Sequence, residues 1–146
     1  MKQISFWLLL YCLSVPVLAQ DTASTNGLSL SIANVDIDDA WGQLQSDNSV
    51  AIYMLLVSKQ ADRLIGLSSA LAGRAELHTH VTASDVLQTR PVTGIDLPAK
   101  MKVRLEPGGL HAVLLDMSEP LIPGQLIPLT LRFLSGSELT LRVALR

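Results

Sequence analysis

The chain has 146 residues, with 11 Lys and Arg, 13 Asp and Glu, three His and one Cys, for a formal net charge of −2. Its charges form no runs and no basic patch with interleaved aromatics, so nucleic-acid binding has no support. A single cysteine, Cys12, excludes a disulfide framework.

Residues 1–19 read as a secretory signal peptide. Lys2 precedes an apolar run from Ile4 to Leu18, and Val17-Leu18-Ala19 supplies the small residues that a signal peptidase reads, so cleavage is expected after Ala19. The run is short for a membrane span of about 20 residues and Pro16 interrupts it, so no permanent membrane span is expected. Cys12 follows Tyr11, whereas a lipidated cysteine follows small residues; Cys12 is expected to leave with the signal. Thiolate metal sites and cysteine nucleophiles leave with it. Residues 20–27, QDTASTNG, read as a flexible N-terminal arm. Residues 28–146 read as one exported domain, periplasmic in location, that packing alone must stabilise.

From Leu28 onward the dominant period is two. Strands are expected in LSLSIANVDI, VAIYMLLVS, RLIGLSS, RAELHTHV, SDVLQTRPV, KMKVRL, LHAVLLDM and LIPLTLRF. One helical turn is possible over Asp38 to Gln45, and Asp36, Asp38 and Asp39 read as a solvated acidic loop. The last hairpin is the clearest: Leu131 and Phe133, then Leu139, Leu141, Val143 and Leu145, alternate with polar residues around Ser135-Gly136-Ser137. Asp47-Asn48, Gly94, Pro107-Gly108-Gly109 and Pro123-Gly124 mark further turns. Short strands between turns, without a long amphipathic helix, indicate an all-β fold, an antiparallel β-sandwich. Trp41 and Tyr53 read as core or core-edge aromatics, Met54 and Met101 as core, and Arg63 and Arg90 as exposed or ion-paired scaffold.

Catalysis has no foothold. The nucleophile-elbow, phosphate-loop and HExxH patterns are absent, and no carboxylate pair is placed to flank a substrate, so the protein is not expected to be an enzyme. The histidines carry more information. His78 and His80 are two apart in a strand pattern and share a face. His111 follows a Pro-Gly-Gly turn near a sandwich end, where binding sites gather. Imidazoles that converge there suit copper, zinc or nickel, while surface or hydrogen-bonded histidines are the plainer alternative.

The segments DRLIGLSSALAGRAELHTHV, TRPVTGIDLPA, VRLEPGGLHAVLL and GQLIPLTLRF resemble the PCu(A)C-type periplasmic copper chaperones, with DDAWGQ and AIYMLLV extending the likeness over residues 28–145. The resemblance implies a cupredoxin-like, Greek-key sandwich that carries copper outside the cytoplasm, towards the copper centre of cytochrome oxidase or another copper chaperone. It also implies a motif of His, ten residues, Met, twenty-one residues, His, one residue, Met. Counted from His78, these positions fall on Thr89, His111 and Val113, so both histidines stand and both methionines are replaced. Thr82, Leu87 and Leu115 stand where further methionines are expected, and Met117 lies too far along its strand to substitute. A thioether favours Cu(I); a hydroxyl is a poor partner for it and a valine offers nothing. The expected metal residues are therefore His78 and His111, with His80 as helper, in a nitrogen-only site suited to Cu(II). The competing expectation is a metal-free periplasmic adaptor that keeps the fold.

Overall fold

A computed structural model describes residues 30–32, 34–83 and 85–146. The expected signal peptide and arm lie outside the described residues. Strands β1 (Leu30–Ile32), β2 (Val35–Leu44), β3 (Val50–Ser58), β4 (Asp62–Ser68), β5 (Ala72–Ala83), β6 (Val86–Val92), β7 (Ile95–Leu97), β8 (Lys102–Leu105), β9 (His111–Met117), β10 (Leu126–Phe133) and β11 (Glu138–Leu145) make up the regular structure. Among the described residues no helix is long and apolar enough to cross a membrane.

The strands form one hydrogen-bonded path, β6-β5-β9-β3-β2-β11-β10-β4-β7, with β1 beside β2 and β8 beside β3. β4 and β5 lie near opposite ends of this path, yet only Ser69, Ala70 and Leu71 separate them in sequence. Three residues span about 10 Å at most, which is the spacing between packed sheets. The path must fold back on itself, and the result is the expected sandwich. Every strand pairing is antiparallel except β11 with β2, which run parallel through Ala144↔Trp41 and Leu145↔Gly42.

Alternation builds the core. Ile127, Leu129, Leu131 and Phe133 of β10 and Leu139, Leu141, Val143 and Leu145 of β11 are buried, as the period of two predicts. Ile52, Met54 and Leu56 of β3, Leu77 of β5, and Ala112 and Leu114 of β9 join them in one cluster. Three expectations fail locally. Asp38 to Gln45 forms no helical turn: β2 runs through it, broken by a bulge where Asp39 takes a left-handed φ of 49°. Asp36 and Asp38 are therefore strand residues rather than loop acids. The bulge lets the two halves of β2 pair with different partners, β1 and then β11. Gly42 fits closely there: a Cβ would lie 2.8 Å from Leu145 Cδ2, so a larger residue requires that side chain to shift. Met101 is 59% exposed, because a turn at Pro98–Met101 interrupts the alternation before β8 begins.

Candidate metal centre

The residues that alternate with the core on β3, β5 and β9 face away from it. On β5 these are Glu76, His78 and His80, flanking buried Leu77; on β9 they are His111, Val113 and Leu115, flanking buried Ala112 and Leu114. The β5–β9 register sets His78 directly opposite His111. His80 sits two residues further along β5, opposite Thr89 of β6. Ala51 of β3 is opposite Val113, and Tyr53 follows on the same face. With the β2–β3 turn at Ser46, Asp47 and Ser49 as a rim, these side chains other than Glu76 line an open cleft of about 410 Å³.

All three histidines meet in this cleft. The His80 and His111 rings stack at 4.9 Å with an interplanar angle of 22°, and His78 meets His111 edge-on at 5.7 Å. Thr89 and Val113 line the same cleft, so the positions that the PCu(A)C resemblance assigns to methionine converge with the histidines. Met117 pairs with Ala72 at the far end of β9. Two of the rings are thus stacked and the third stands edge-on to His111. Among the described residues no group of three or more His, Cys, Asp or Glu side chains stands ready as a metal cage.

The hydrogen bonds specify which nitrogens are available. His111 Nδ1 lies 3.0 Å from the Gly109 carbonyl, so it carries the proton and donates, leaving the Nε2 lone pair. His78 Nε2 lies 2.8 Å from a Glu76 carboxylate oxygen, so it donates there and leaves Nδ1. His80 Nδ1 is buried without a hydrogen-bond partner. A buried ring nitrogen left unpaired is costly, and sites of this kind call for an explanation such as an ion.

Burial pushes the His111 imidazole below its ordinary range, donation to Gly109 opposes the shift, and the nearby His80 and His78 add to it. A histidine with a depressed folded pKa stabilises the protein fully above its unfolded value of about 6.5. That contribution is lost as the pH falls through this value, because the unfolded chain takes up the proton first. Metal-free protein should therefore show a lower urea midpoint at pH 5.5 than at pH 7.5. His111→Gln should flatten the difference; an equally steep dependence in the variant would assign it elsewhere.

Beyond the histidines, the cleft is lined by residues that the sequence did not single out as site residues. Tyr53 is buried, but against the site: its ring lies 6.4 Å from His111 and 4.6 Å from Trp41, and Arg146 covers Trp41 at 5.0 Å. Neither aromatic belongs to the central core cluster. The Asp47 carboxylate accepts from both the Ser49 amide and hydroxyl, which fixes the rim. Glu76 was also missed, although its i−2 spacing from His78 puts it on the same face. Arg63 is ion-paired with Asp96 at 2.8 Å and Arg90 is exposed, as expected.

The model of the LpqE-like family, described as "Putative lipoprotein LpqE-like", matches residues 35–145. The chain belongs to the LpqE-like family. Among curated proteins, this LpqE-like chain is 37% identical over 76 residues to "Putative lipoprotein Lxx21020" of Leifsonia xyli subsp. xyli. That match covers 51% of the chain and 45% of the relative, so the chain spans about half of the curated relative's length. Among solved structures, the copper-bound PCuAC domain from PmoF2 aligns at 27% identity with a TM-score of 0.67, covering 81% of this chain and 97% of that one. The copper(I) form of DR1885 from Deinococcus radiodurans aligns at 25% identity with a TM-score of 0.58, covering 82% and 80%. The likeness to PCu(A)C-type proteins and the all-β sandwich expected from the sequence are thus borne out. This LpqE-like chain has a copper-chaperone-like fold with three histidines, and no methionine, around the candidate centre.

Proposed function

We propose that this LpqE-like protein binds copper outside the cytoplasm and passes it to another protein, acting as a carrier rather than an enzyme. The ring nitrogens of His78, His80 and His111 hold the ion. The observation that carries this reading is the buried, unpartnered His80 Nδ1 in a cluster that leaves His111 Nε2 and His78 Nδ1 with free lone pairs. The His80 and His78 rings lie 4.9 and 5.7 Å from that of His111, centroid to centroid, which puts all three within reach of one ion. Copper is cargo here. Three neutral imidazoles without a thioether suit Cu(II) better than Cu(I).

The copper-bound forms of the similar PmoF2 and DR1885 domains support copper as the ion. The PCu(A)C resemblance nominates a cytochrome oxidase copper centre or another copper chaperone as the recipient. Export through a signal peptide of residues 1–19 into the periplasm, ahead of an arm (20–27) and the sandwich (28–146), agrees with a family described as lipoproteins. Cys12, the only cysteine, follows Tyr11, so removal of the whole leader is favoured over lipidation.

The test is a competition titration of the exported form with Cu(II) and Cu(I), in parallel with His78→Ala/His111→Ala. The native chain should bind Cu(II) with nitrogen hyperfine structure in its electron paramagnetic resonance spectrum. Binding no tighter than that of the double variant would end the copper reading and leave the metal-free adaptor.

A further inference from the structure

The outer face of β5 and β9 carries a charged chain that ends on the candidate centre. Asp116 Oδ2 accepts from Arg74 Nε at 2.7 Å, Arg74 Nη1 donates to Glu76 Oε1 at 2.9 Å, and Glu76 Oε2 lies 2.8 Å from His78 Nε2. Arg74, Glu76 and His78 are successive outward residues of β5, so the strand's own period stacks them. Asp116 joins from β9 in a left-handed conformation, φ 54°. Gly73 approaches it closely, and a Cβ there would lie 3.1 Å from Asp116 Cβ.

Stability is a weak account of this arrangement. The Arg74 and Asp116 side chains are 58% and 62% exposed, and exposed ion pairs contribute little. What distinguishes the chain is its terminus: each link is a short charge-assisted bond, and the last falls on one specific nitrogen of a side chain that is only 16% exposed. A carboxylate only accepts, so this contact places the ring proton of neutral His78 on Nε2. Because both oxygens of Glu76 are engaged, one by Arg74 and one by His78, the carboxylate cannot swing away without breaking a bond.

We propose that Glu76, held by Arg74 and Asp116, is a positioning residue that fixes the Nε2–H tautomer and ring orientation of His78, so that Nδ1 faces the ion. Metal-bound histidines commonly donate their other ring proton to a carboxylate, and loss of that partner lowers metal affinity by roughly 10–100-fold. The ion in this inference rests on the function proposed above; the tautomer does not.

The two parts are tested separately. In metal-free protein at pH 8, two-bond proton–nitrogen correlation spectra should show native His78 protonated at Nε2 alone. Glu76→Ala should give a mixture with Nδ1, and Arg74→Ala a smaller admixture, with the backbone spectrum of each variant preserved. A His78 pattern unchanged in both variants overturns the proposal. In Cu(II) titrations Glu76→Ala should bind roughly 10–100-fold more weakly than native, and Glu76→Gln, which keeps an accepting oxygen, should recover part of the loss. Native affinity in Glu76→Ala would overturn the link to the ion even if the tautomer shifts. A native chain that binds no copper would defeat the proposed function and leave the tautomer result standing.

Discussion

His111→Ala is expected to lower Cu(II) affinity by at least about 100-fold, more than loss of an outer hydrogen-bond partner would. His111 is the hub of the cluster: its ring contacts both His78 and His80. It is also the most constrained of the three, buried at 7% exposure and anchored through Nδ1 to Gly109. Its depressed pKa keeps it neutral near pH 7, as coordination requires. His80→Ala should also weaken binding, and should remove the unpaired buried nitrogen at the same time. The metal-free His80 variant is therefore expected to be no less stable than native, a separation of binding from stability that ordinary truncation does not produce. The chain carries its own reporter. In a form trimmed after Ala19, Trp41 is the only tryptophan, and it lies 4.6 Å from Tyr53, which in turn lies 6.4 Å from His111. Cu(II) should quench Trp41 fluorescence in the native chain and leave it unchanged in His111→Ala. Equal quenching in both would place the ion elsewhere.

What could be read from the residues depended on how local the determining physics was. The β10–β11 hairpin was legible because Leu131 through Leu145 alternate cleanly and Gly136 supplies the left-handed turn, φ 87°. In β3 the run VAIYMLLVS is apolar on both faces, so periodicity could not say that Tyr53 faces the histidines rather than the core. The bulge at Asp39 depends on β2 switching partners along its length, which short-range patterns do not encode. The meeting of His78 with His111 follows in the sequence from the sandwich-end position of His111 and from motif spacing; the register that sets them opposite belongs to β5 and β9 together. His80 was assigned a helping role because it fell outside that spacing. Its ring in fact lies closer to His111 than that of His78 does, and it holds the unpartnered nitrogen.

Thr89→Met/Val113→Met should convert the cleft from a nitrogen-only set to a mixed nitrogen and thioether set. Cu(I) affinity should then rise by roughly 100-fold or more, about 2.8 kcal/mol. The geometry favours this result. Thr89 is exposed on β6 directly opposite His80, so a longer side chain there meets no packed neighbour and can lean over the rings. Val113 is two residues from His111 on the same strand face, opposite Ala51 and Glu76, and it turns away from the buried Ala112 and Leu114. Methionine at that position grows into the open cleft rather than the core, and its flexible thioether tolerates an imperfect fit. Each single variant should gain less than its share, because one soft donor beside three imidazoles leaves Cu(I) half-satisfied. The pair should exceed the sum of the singles, since both sulfurs must reach one ion. Cu(II) affinity should change little, because the nitrogens are untouched. If the double variant bound Cu(I) no better than native, the cleft would lack the shape for the motif despite its preserved spacing. Loss of the methionines could then no longer be what sets the metal preference of this chain.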